Sequence, residues 1–353
     1  MTGHAPRLGI SLSNEVPVAE TVALVQDAER LGLAEAWLPE SRHGRGVFTV
    51  AAQVAARTSR IGIGIGVVNP FWRHPSAIAM EAAALDEASG GRLRIGVGAA
   101  LWTLKALGED DPRTTRPLAA MREALQIIRA MVADGTGAGD GPAPEPRIFT
   151  ARPGTRLDFT PARPRLPVYV GAVNARMLEV SGALADGVQL GAITSPGYAR
   201  WARERIAAGA RAAGRDPGAL DLAANVLVSV DQDATAARDA VRMVLAYYLH
   251  RVEGVVVDTS GADPGQVDAV RRAVREKGVA AGARAVTEHL IDVFAAAGEP
   301  GQVAARLRDY ADAGLAGLLA WHVFGPDPRR GLELLARNVA PALGRPSERR
   351  VHQ

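Results

Sequence analysis

Apolar residues along this chain alternate between two spacings almost from end to end. Short runs of Val, Ile, Leu and Gly read as buried strands. Longer stretches with apolar positions three and four apart read as helices packed on one face. The first strand is expected at Leu8–Leu12, followed by a helix at Pro17–Leu31 whose Val18, Val22, Val25 and Ala28 share a face. Pro17 suits a first helical turn and Gly32 suits its stop. The pattern continues with a strand at Ala36–Leu38, a helix at Val47–Thr58, a strand at Ile61–Val67, a helix at Pro75–Ala88 closed by Gly90-Gly91, a strand at Leu93–Val97 and a helix at Arg116–Ala133.

A Gly/Pro-rich break covers Gly135–Pro146, and Arg147–Pro164 then predicts a hairpin with a Pro-Gly turn. Alternation resumes with strands at Val168–Val170, Val188–Leu190, Leu222–Val230 and Leu318–His322. The expected helices are Ala175–Ala185, Tyr198–Ala213, Asp233–Leu249, Gln302–Ala313 and Arg329–Val339. Arg251–Lys277 reads as irregular or partly helical. About eight strand–helix units predict an α/β fold, a (β/α)8 TIM barrel with insertions at about 135–167 and 251–284, in a single domain spanning 1–353. A doubly wound sheet would need Gly62, Gly64 and Gly66 as a dinucleotide loop. These glycines alternate inside a strand instead of turning into a helix, and Pro70 and Pro75 interrupt the helix that should follow.

Composition narrows the chemistry. The chain has 353 residues, 48% of them hydrophobic, enough for a large core. It has no cysteine, which removes disulfides, thiolate metal sites and a Cys nucleophile. Net charge is +3 with both signs interspersed, and no basic stripe carries interleaved aromatics, so a nucleic-acid partner is not expected. No secretory signal or membrane-length apolar run is visible, so a soluble cytoplasmic protein is expected, with no membrane partner. No His/Asp/Glu spacing suggests a metal site.

Small residues end several strands. Gly98-Ala99-Ala100 closes the fourth with little side-chain bulk, as a strand end or as a place where a planar ring lies against backbone. Gly171-Ala172-Val173-Asn174 and Gly191-Ala192-Ile193-Thr194 each lead from a strand to a helix. Each is an ordinary βα turn taken singly, but side by side they offer the free amides and helix dipoles that attract a phosphate. Trp72, Trp102, Trp321, His74 and His322 fall near strand ends and read first as packing residues. His322 is the one placed to face a pocket.

The segments AWLPE at Ala36–Glu40, GVVNPFWRHP at Gly66–Pro75, LDEASGGRLRIGVGAA at Leu85–Ala100, LPVYVGAVNARMLEVSGALADGVQLGA at Leu166–Ala192 and LAWHVFGPDP at Leu319–Pro328 resemble the luciferase-like monooxygenase superfamily. Within it they are most similar to the deazaflavin (coenzyme F420)-dependent branch that includes methylenetetrahydromethanopterin reductase. The resemblance implies a barrel whose cofactor ring sits at the carboxyl ends of the strands, and a hydride moved between the deazaflavin C5 and a small organic substrate. It places Glu40 near ring and substrate. Ser41 stands where the reductase branch has His, with His43 two positions on, so Glu40 and His43 are the catalytic candidates. The resemblance also implies a non-prolyl cis peptide in the third strand, at Gly66-Val67, a position that a β-bulge glycine would fit equally. Asn69 would cap the following turn or reach the ring's polar edge. Leu101 replaces the Glu of glucose 6-phosphate enzymes, so that substrate is not expected. FMN, in a two-component monooxygenase, is the alternative cofactor, and a non-catalytic ligand-binding barrel is the alternative class. A homodimer and a separate reductase that regenerates reduced cofactor are further implications of the resemblance.

Overall fold

The third strand shows why the barrel closes as it does. In the computed structural model, which describes residues 5–40, 44–100, 104–105, 108, 111, 115–133, 148–150 and 155–344, its residues are GIGIGVV. The glycines point into the barrel, where side chains from other strands have already filled the space. A Cβ at Gly62 would lie 2.7 Å from Arg94 Nη1, one at Gly64 would run into the Trp37 indole, and one at Gly66 into the Gln189 amide. The isoleucines between them, Ile63 and Ile65, point outward and are fully buried under the helices.

Eight parallel strands form the ring: β1 (Arg7–Ser11), β2 (Glu35–Leu38), β3 (Gly62–Val68), β4 (Leu93–Val97), β5 (Val168–Ala172), β6 (Gly187–Leu190), β7 (Asp221–Val230) and β9 (Gly317–Phe324), with β9 pairing back onto β1. A further strand, β8 (Ala295–Gly298), pairs with the carboxyl half of β7. Trp37, Tyr169, Ala223 and Leu319 make a buried cluster of their own inside the ring, with the Trp37 and Tyr169 rings edge-on at 5.3 Å. Below it, at the amino ends, the buried Glu35 carboxylate lies 3.5 Å from Arg7 and 3.6 Å from Arg94, and Arg7 reaches Asp221 at 2.7 Å. Burial raises the Tyr169 phenol pKa, so it stays protonated and donates to Asp221. This ionic cluster fills the amino end of the ring, and the βα turns at the carboxyl ends of the strands form the mouth where barrels of this kind place their sites.

The eight ring strands and the helices at Pro75–Ala88, Pro117–Val132 and Pro196–Ala212 follow the sequence pattern closely. Of the hairpin expected at Arg147–Pro164, residues 147 and 151–154, with the Pro-Gly turn, lie outside the described residues, and the described positions 148–150 and 155–164 carry no strand. The Ile148 and Phe149 amides, which would have fed a ladder, instead donate to Glu123 Oε2 at 2.7 and 2.9 Å. Within 251–284 the chain is more ordered than expected. Asp263 caps a helix at Pro264–Lys277 by accepting from the Gly265 and Gln266 amides. Helices at Val279–Ala285 and Glu288–Phe294 lead into β8. Among the described residues no helix is long and apolar enough to cross a membrane.

Because the space inside β3 is taken, Gly64→Ala must displace the Trp37 indole from a full barrel core. Its unfolding free energy, measured by denaturant titration with unchanged slope, is expected to fall by about 1–3 kcal/mol. An unchanged midpoint would show that the interior yields more easily than the packing implies.

Candidate active site

At the carboxyl end of β3 the chain turns on Asn69. Its buried side chain accepts from the Phe71 amide at 2.9 Å and donates to the Ala99 carbonyl at 3.1 Å, tying the ends of β3 and β4 together. Asn69 is thus a turn cap and a strap. Just before it, the Gly66–Val67 peptide is cis, and pairing with β4 shifts register between Ile65 and Val68. The Val67 side chain lies across the bare backbone of two neighbouring strands. Added Cβ atoms would stand 2.5 Å from its methyls at Gly98 and 2.9 Å at Gly171. The small residues that end β4 and β5 therefore make room for Val67, and Val67, Gly98 and Gly171 form one platform. Ala99 is buried beside it, and Ala100 turns away with φ 38°.

Next to this platform an arginine holds two carboxylates. Arg73 donates to Glu40 Oε1 from Nε at 3.3 Å and from Nη2 at 3.1 Å, while its Nη1 reaches Glu81 at 3.2 and 3.3 Å. The second oxygen of Glu40, Oε2, is buried and has no hydrogen-bond partner among the described residues. Burial raises the Glu81 pKa, and nearby Glu40 adds to that while Arg73 opposes it. Arg73 and Glu81 could not be singled out from sequence, since neither has a motif beyond the NPFWRHP segment. His43 lies outside the described residues.

The two glycine-led turns are also brought together. β5 and β6 are neighbours, with Ala172 opposite Leu190, and a Cβ at Gly191 would touch Val173 at 3.5 Å. The two helix starts differ. Asn174 makes no side-chain cap for the helix Ala175–Leu184. The helix Pro196–Ala212 is satisfied from within: Ser195 Oγ accepts from the Tyr198 amide at 3.1 Å and proline occupies its first turn. Tyr198 then donates its hydroxyl to the Val173 carbonyl at 2.8 Å, so the second helix braces the first turn. Ile193 is buried beneath, Ala192 lies between, and Thr194 Oγ1 donates to the Gly191 carbonyl at 3.3 Å. Of the two anion-binding turns expected, only the one ending at Asn174 is left without a side-chain cap.

Residues 4–317 match the family model described as luciferase-like monooxygenase. The chain belongs to the luciferase-like monooxygenase family. Within that family it is 32% identical over 342 residues to a 5,10-methylenetetrahydromethanopterin reductase of Archaeoglobus fulgidus, covering 96% of this chain and 99% of the relative. An F420-dependent glucose-6-phosphate dehydrogenase of Nocardia farcinica is 28% identical over 345 residues, covering 92% of this chain and 94% of the relative. The solved structure of the coenzyme F420-dependent tetrahydromethanopterin reductase from Methanopyrus kandleri superposes with a TM-score of 0.83 at 26% identity, over 96% of this chain and 100% of that one.

The raised Glu81 pKa sets a sign for pH dependence. A carboxyl whose folded pKa lies above its unfolded value contributes stability at low pH, and that contribution is lost as pH rises through the folded pKa. Glu81→Gln should therefore gain in melting temperature relative to the parent as pH rises from about 4, the ordinary glutamate range, toward neutrality. A difference that stays constant across that range would contradict the burial of this group.

Proposed function

We propose that this protein is a coenzyme F420-dependent oxidoreductase that moves a hydride between the deazaflavin C5 and a small organic substrate. The observation that carries this reading is the end-to-end match to reductases and dehydrogenases whose own names include F420 or its partner pterin. The residues fit such a group. A planar ring needs a flat apolar surface, and the Val67 side chain, sunk into the space left by Gly98 and Gly171, would offer one. A phosphate needs free amides at a helix start, and Gly171–Asn174, flanked by Gly191–Ile193, supplies those.

When bound, the deazaflavin supplies the hydride acceptor or donor; the protein supplies position and proton handling. Val67 and Asn69 fix the platform between β3 and β4. Tyr198 stiffens the turn that would hold the phosphate. Arg73 fixes Glu40 by one oxygen and leaves Oε2 for a proton or hydrogen bond to the substrate. The FMN-dependent monooxygenase reading shares the same phosphate site. Solved neighbours that use FMN are similar at 17% identity or thereabouts and speak only for the fold. A homodimer, a cytoplasmic setting, a single-domain chain and a separate reductase belong to the same proposal and rest on the family resemblance.

Equilibrium titration with F420 and with FMN, each oxidised and reduced, decides the cofactor. Tight binding of F420 in preference to FMN is expected, and the reverse preference would move the protein to oxygen chemistry. Glu40→Gln is expected to keep cofactor affinity and to lose roughly a hundredfold or more in kcat. Full activity in that variant would remove Glu40 from the mechanism.

A further inference from the structure

In the ring of eight strands, β9 lies four steps from β4 in either direction, so the end of β9 faces the Val67–Gly98 platform across the barrel mouth. That end is built unlike the rest. Leu227 on β7 pairs with Trp321, but Ser229 pairs with Phe324, so His322 and Val323 share the place opposite one residue. Such a bulge re-aims a side chain and is frequent beside active sites. His322 has φ 74° and Phe324 has φ 59°, the left-handed region that non-glycine residues adopt rarely and mostly at functional positions. Regular alternation would turn His322 outward under the helices; the bulge leaves it exposed instead.

Around it stands an aromatic wall. The Trp321 ring lies 4.6 Å from Tyr248 and 4.3 Å from His322, centroid to centroid. Tyr247 packs edge-on to Tyr248 at 4.9 Å, and the Arg251 guanidinium sits over Tyr247 at 4.1 Å. Tyr248 Oη is 3.3 Å from His322 Nε2. Protein crowding lowers the His322 pKa, with Glu15 opposing, which favours the neutral imidazole. A neutral ring that accepts the Tyr248 hydroxyl proton at Nε2 carries its own proton on Nδ1 and donates there.

We propose that Tyr248, Trp321 and His322 form the substrate-recognition wall, and that it selects a planar conjugated substrate with a carbonyl oxygen placed to accept from His322 Nδ1. The substrate would lie between this wall and the platform, against the half-buried Tyr248 phenol and His322, which the buried Trp321 indole backs and holds in place. The proposal rests on the cofactor reading for what lies on the opposite side of the mouth.

The test uses 2-naphthamide and its fully saturated decalin counterpart as probes, titrated calorimetrically into protein previously saturated with F420. The planar probe should bind about three- to tenfold more tightly, the range expected of an aromatic contact. Trp321→Leu should erase that preference, with Tyr248→Leu serving the same purpose if Trp321→Leu does not fold. His322→Gly should weaken naphthamide binding while melting no lower than the parent, because glycine accepts the positive φ freely. F420 affinity should be unchanged in all these variants. Equal affinity for the two probes, or a preference that survives these substitutions, overturns the proposal. If the parent binds no F420, the cofactor reading fails, and the same probe comparison on the free protein still decides the wall.

Discussion

The structure depends on a volume constraint inside the third strand. Arg94 and Trp37 from the neighbouring strands and Gln189 from β6 across the ring occupy the barrel interior at three successive levels, and β3 can pass them only without side chains. Alternating glycine is the solution, with isoleucine on the outward face buried under helices. The same economy continues at the mouth. Gly98 and Gly171 leave space that Val67 enters from β3, and the three residues form one platform. Packing at the bottom and the shape of the site at the top are thus one sequence device.

Three sides of the mouth then carry different chemistry. The β3–β5 side offers backbone, a valine and a helix start without a side-chain cap. The side around β2 and β3 adds a guanidinium shared between two carboxylates, which fixes one oxygen of Glu40 and leaves the other without a partner among the described residues. The β9 side is aromatic and holds an exposed, weakly basic histidine on a bulge. A flat cofactor and a flat substrate meeting across such a mouth would need few charged groups, consistent with hydride transfer carried by a cofactor.

Much of the fold was legible because parallel strands buried on both faces leave continuous apolar runs, and proline and glycine mark helix starts and stops. Pro75–Ala88 and Leu93–Val97 are read to the residue. β8 was not legible: its sequence is AAAG, without any branched or aromatic residue to announce a strand. In the segment where a hairpin is expected, Arg147–Pro164, the described positions carry no strand, and Glu123, distant in sequence, takes the Ile148 and Phe149 amides. Of the local geometry, the cis Gly66–Val67 peptide, the Asn69 cap and the adjacency of the two glycine-led turns were legible through family likeness and turn chemistry. Arg73, Glu81, Gln189 and Tyr198 were not, because their roles come from contacts between elements that no local spacing encodes. His322 was noticed as a strand-end residue, but its exposure comes from a bulge visible only in the strand pairing.

A crystal structure of the protein with oxidised F420 bound tests this picture most directly. The ring should lie against the Val67 side of the mouth, with its phosphate at the amides following Gly171 and its other face open toward Trp321. Cofactor density elsewhere, such as the outer groove lined by Leu118, Arg122, Glu179 and Gly209, would contradict it.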